Sequence, residues 1–92
     1  MYKRQAYKRA LAIDEAVYGP DHPTVAIRVN NLGSVLQDLG DSAGARAAFE
    51  RALAIWTNAY GEDHPRVATA HNNLGSVLKA LDGAGAEVHD DE

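Results

Sequence analysis

Ninety-two residues, 46% of them apolar and 24% charged, suffice for one small domain and leave no room for a separate catalytic one. A formal charge of −4 with no continuous basic stripe excludes functions that rest on displacing phosphate counterions, and the lack of cysteine excludes disulfide staples, thiolate metal sites and cysteine nucleophiles. No apolar run approaches the roughly 20 residues that span a bilayer, and Tyr2-Lys3-Arg4-Gln5 leads into no signal-peptide segment, so the expectation is a soluble cytoplasmic protein without nucleic-acid or membrane partners.

The first predicted helix covers about residues 3–18. It opens with Lys3, Arg4, Lys8 and Arg9, four of the nine basic residues, whereas Asp82, Glu87, Asp90, Asp91 and Glu92 crowd the other end of the chain. This polarity reads either as solvated faces or as a dipole that favours head-to-tail association. Asp14 and Glu15 are expected on the outer part of this helix. A second helix starts at Pro23, where a missing N–H is tolerated, with Asp21-His22 placed to cap it or to favour its positive end. Val25, Val29, Leu32, Val35, Leu36 and Leu39 then recur at spacings of three and four, an amphipathic pattern over about 23–39 that stops at Gly40-Asp41-Ser42.

Ser42 is the expected cap of a third helix, about 43–59, with Ala45, Ala48, Phe49, Ala52, Leu53 and Ile55 as its buried stripe and Tyr60-Gly61 as its stop. Asp63-His64-Pro65 opens a fourth, about 65–81. Residues 83–92 carry glycines and acids with one Val88 and read as a disordered acidic tail, so residues 1–82 form the folded unit.

These elements repeat. Arg9-Ala10-Leu11-Ala12-Ile13, Tyr18-Gly19, Asp21-His22-Pro23 and Asn30-Asn31-Leu32-Gly33-Ser34-Val35-Leu36 all return 42 residues later, and residues 7–40 match 49–82 at 20 of 34 positions. Gly33 and Gly75 each cost roughly 1 kcal/mol relative to alanine inside a helix. Close approach of a neighbouring backbone is the expected compensation, and Ala10, Ala45, Ala48, Ala52 and Ala68 are read as small residues at the same helix crossings.

The series Val29, Leu32-Gly33, Leu36, Ala45, Phe49, Ala52, with His71, Leu74-Gly75 and Leu78 one unit on, resembles the tetratricopeptide repeat. Its unit is longer than the usual 34 or so residues. The extra stretch, Tyr60-Gly61-Glu62-Asp63-His64-Pro65, together with the Asn-Asn-Leu signature, is similar to the kinesin light chain subclass. The resemblance implies an all-α solenoid of helical hairpins, here in the permuted order B-A-B-A, where A and B are the first and second helix of a unit. It also implies a concave surface lined by A helices that holds a peptide segment of a partner protein.

Asn30, Asn31, Asn72 and Asn73 are the leading candidates for that surface, because an amide donates and accepts as a peptide backbone does. Ser34, Gln37, Thr69, Ser76 and Lys79 lie near them on the A helices and extend it. The alternative is that one Asn of each pair bonds a neighbouring helix or loop. A second functional reading is self-assembly, as a homodimer, possibly helix-swapped, or as a head-to-tail oligomer, since the first unit lacks its A helix and the last its B helix.

No catalytic or cofactor signature is present: there is no glycine-rich phosphate loop, His-Glu-x-x-His or serine elbow. No metal site is expected either. His22 and His64 are repeat equivalents with a capping or loop-packing role, His71 replaces Val29 as a partly buried packing residue, and His89 falls in the tail. Glu50 pairs with Arg46 or Arg51 on an exposed face. Trp56, whose equivalent is Asp14, marks a contact surface or packs against the following A helix.

Overall fold

A computed structural model describes residues 2–83, and the proposed tail lies outside the described residues apart from Gly83. Four helices follow one another: α1 (Tyr2–Tyr18), α2 (Pro23–Asp38), α3 (Ser42–Tyr60) and α4 (Pro65–Gly83). Their ends fall within two residues of those the sequence pattern gives. Each helix packs on its neighbours in the chain, and α2 also touches α4, so α2 and α4 share one face of the array.

The two α1–α2 and α3–α4 corners are built alike. Gly19 and Gly61 adopt φ of 93° and 90°, which lets the chain leave the preceding helix through a left-handed residue. His22 then caps α2: the Thr24 backbone N–H donates to its Nδ1 at 3.0 Å, while the ring stacks on Tyr18 with centroids 4.8 Å apart. His64 does the same for α4, accepting from Arg66 N–H at 3.1 Å and stacking on Tyr60 at 4.2 Å. One histidine thus ties the end of one helix to the start of the next.

The α2–α3 turn differs from expectation at its cap. Asp41, not Ser42, holds the N-cap position: its Oδ1 accepts from Gly44 N–H at 2.9 Å, and Ser42 is the first helical residue. A carboxylate three residues before an orphan N–H both bonds it and favours the positive helix end. Gly40 with φ 88° closes α2, with Gly40 N–H donating to the Gln37 carbonyl at 3.0 Å and Asp41 N–H to the Leu36 carbonyl at 2.8 Å.

The core lies between α2, α3 and α4. Val25, Ala26, Val29, Ala52, Ile55, Trp56, Val67 and Ala70 form one buried cluster with Ala48, and Leu32, Leu36, Ala45, Phe49 and Val77 form a second. Trp56 is 2% exposed and its indole N–H donates to the Pro23 carbonyl at 3.2 Å, which settles its role as packing. Gly33 is compensated by an aromatic ring rather than by backbone: a Cβ there would lie 2.6 Å from Phe49 Cε1.

Several sequence expectations fail at the two outer helices. His71 and Ala68 are exposed, although their equivalents Val29 and Ala26 are buried, because no described element covers the far side of α4. Asp14 and Glu15 are not on an outer face. Each reaches a neighbouring helix, Asp14 to Arg28 of α2 and Glu15 to Arg51 of α3, both at 2.6 Å. Arg51 is thereby drawn from Glu50, which pairs with Arg46 at 3.1 Å.

Candidate interaction face on α2 and α4

Three of every seven positions on an amphipathic helix face the core, and the others are left for solvent or ligand. On α2 the left-over set on the α4 side includes Asn30 and Gln37, and on α4 the facing set includes Asn73 and Ser76. Two hydrogen bonds join them across the seam: the Asn73 amide donates to Asn30 Oδ1 at 3.0 Å, and Gln37 Nε2 donates to Ser76 Oγ at 3.3 Å. Both bonded asparagines are half-buried, whereas Asn31 and Asn72 are exposed.

The Asn-Asn pair therefore has a repeat logic that its sequence hides. The first Asn of one unit accepts from the second Asn of the next, a spacing of 43 rather than 42 residues. Asn31 and Asn72 are the two ends of that ladder, without a neighbouring A helix among the described residues. The bond engages Asn73's NH2 and Asn30's carbonyl, while Asn30's NH2 and Asn73's carbonyl make no side-chain hydrogen bond among the described residues.

The remaining candidates are spread along the same two helices. Ser34 and Ser76 are exposed, as are Thr69 and Lys79, and the Thr69 hydroxyl donates to the Pro65 carbonyl of its own helix at 3.2 Å. Ile27, the repeat equivalent of Thr69, stands outside the core stripe and is not among the candidates the sequence offers. It is 37% exposed and lies one turn before Asn30 and Asn31, which makes it an apolar side chain bordering a polar seam. Its mismatch with the heptad-like core pattern was the available signal.

Several charges beside this face are engaged within the scaffold. Asp14, with its side chain 14% exposed, holds Arg28; Arg51 bonds Glu15 and the Pro20 carbonyl at 3.0 Å; Arg66 lies over the Trp56 ring at 5.6 Å. Among the described residues no three His, Asp or Glu side chains gather where a metal could sit, and no helix is long and apolar enough to cross a membrane.

Paired antiparallel helices stacked in a row, with Leu-Gly on one helix received by an aromatic on the next, define a helical-hairpin repeat protein. The family model for the tetratricopeptide repeat matches residues 25–84, and the chain belongs to that family. A comparison with curated proteins finds no match. Tetratricopeptide repeats serve as protein-interaction modules, and that broad role extends to this chain.

Proposed function

We propose that the face shared by α2 and α4 binds an extended peptide segment of a partner protein. The observation that carries this reading is the Asn30–Asn73 bond, which leaves the Asn30 NH2 and the Asn73 carbonyl of two half-buried side chains without a side-chain partner among the described residues. A peptide backbone presents one acceptor and one donor per residue, so it satisfies both at once. Ile27 supplies an apolar contact beside the pair for a side chain of the bound segment, and Ser34, Gln37, Ser76 and Lys79 extend the polar track. Asn31 and Asn72 are exposed and add two further amides.

The 42-residue unit and the twice-built Tyr-Gly-x-Asp-His-Pro corner support placing the chain near the kinesin light chain subclass. The chain acts by binding, with no chemistry of its own and no cofactor. Association between copies would use other faces, so the two behaviours separate by experiment.

The test is a peptide-array screen followed by fluorescence anisotropy on the hits, with Asn30→Ala, Asn31→Ala, Asn72→Ala and Asn73→Ala combined. Binding should fall at least tenfold while circular dichroism stays unchanged. Hits that bind the fourfold variant as well as the parent chain would rule out this face.

A further inference from the structure

Gly33 and Gly75 occupy the same seven-residue string, Asn-Asn-Leu-Gly-Ser-Val-Leu, yet their surroundings are opposite. A Cβ on Gly33 would strike the Phe49 ring at 2.6 Å, and a Cβ on Gly75 would meet nothing within 4 Å among the described residues. In isolation, then, Gly75 is a helix-weakening residue with no compensating contact.

The difference extends over a whole face. On α2, Ala26, Val29, Leu32, Gly33 and Leu36 are buried; on α4 their equivalents Ala68, His71 and Gly75 are exposed, and Leu74 and Leu78 are half-buried. On α3, Ala45, Ala48, Phe49, Ala52 and Ile55 are buried; on α1 their equivalents Lys3, Ala6 and Ile13 are exposed, and Tyr7 and Ala10 are half-buried. The two open faces are the two halves of an interface whose closed form, α2 against α3, sits in the middle of the same chain.

We propose that copies of this chain associate head to tail, α1 of one copy seated on α4 of the next, with the Tyr7 ring over Gly75 as the Phe49 ring lies over Gly33. The residues that follow α4 in this sequence do not repeat the α3 pattern: Glu87, Asp90 and Asp91 stand 42 positions after Ala45, Ala48 and Phe49. Three acids at three apolar positions make a poor cover for Gly75, whereas α1 offers Ala6, Tyr7 and Ala10 in register. Lys3, the one charged member of the α1 set, falls in register beside Asp82 near the end of α4. Two units of 42 residues make 84, so a second copy continues the superhelix without a change of phase. The contact is heterologous, and each copy carries one of each face.

Sedimentation velocity over a wide concentration range, with Gly75→Ala and Ile13→Glu, tests it. Wild type should grow in mass with concentration. Gly75→Ala should weaken association at least tenfold, yet raise Tm in dilute solution by roughly 2–8 °C, because alanine is the better helix former where nothing covers it. Ile13 is 58% exposed, so Ile13→Glu should leave the fold intact and block the α1 face. Mixing the two blocked variants should then give a 1:1 dimer and nothing larger, since one intact face of each kind remains. A wild type that stays monomeric throughout, a Gly75→Ala chain that associates like the parent, or a mixture that stays monomeric would each overturn the proposal; a monomeric wild type is also the outcome if the chain's own tail or an unrelated partner covers α4.

Discussion

Asp14 and Arg28 join α1 to α2 through a 2.6 Å ion pair at the register where the next unit buries Trp56 and Ala70 in one apolar cluster. The same junction is thus built with a charge pair in one unit and a large-small apolar pair in the other. Each position of the pair changed type together with the other.

Breaking such a pair on one side leaves the more buried partner exposed to the cost of desolvation, while replacing both partners does not. Arg28→Ala should lower stability by about 1–2 kcal/mol, kept modest by the solvent around Arg28. Adding Asp14→Trp should recover most of that loss by repeating the Trp56–Ala70 arrangement. Urea melts of the single and double variants decide it, and equal midpoints for the two would show that Asp14 and Arg28 are uncoupled.

The glycines give a prediction of opposite signs from one substitution. Gly33→Ala drives a methyl into the Phe49 ring and should destabilise by about 1–3 kcal/mol. Gly75→Ala, measured in dilute solution, should stabilise by about 0.5–1 kcal/mol. Thermal melts followed by circular dichroism would expose the error if both shifted the same way.

His22 and His64 are capping residues, so each His→Ala change should cost about 1 kcal/mol. His22→Asp retains an acceptor for the Thr24 N–H and loses the stack on Tyr18, so it should fall between wild type and His22→Ala. If His22→Asp were as unstable as His22→Ala, the stack rather than the cap would be the dominant contribution.

Trp56 is the single tryptophan and is buried, so its fluorescence reports the α2–α3–α4 core directly. Trp56→Ala should cost about 3–5 kcal/mol through the cavity it leaves. Trp56→Phe should cost less, with the lost bond to the Pro23 carbonyl contributing about 1 kcal/mol of the change. Calorimetry of the two variants orders them, and a Trp56→Ala chain as stable as wild type would contradict the core described above.

Most of the fold was legible because its signals are local. Prolines at 23 and 65, glycines at 19 and 61 and apolar residues three and four apart act over a single turn, and a turn is what a short window of sequence contains. The cap lies at Asp41 and not at the expected Ser42, because aspartate and serine serve equally well there and only the direction of the side chain separates them. The face on α2 and α4 was legible as a set of polar positions. Which asparagines meet was not, because the Asn30–Asn73 bond depends on how far α4 slides along α2.

By itself, then, the sequence determined the repeat, its phase, the four helices and the residues that punctuate them, since each is fixed by interactions between neighbours in the chain. The tertiary structure decided burial. Gly33 and Gly75, Val29 and His71, Asp14 and Trp56 occupy equivalent positions, and their environments differ because exposure is set by what packs on the far side of a helix, which no local pattern encodes.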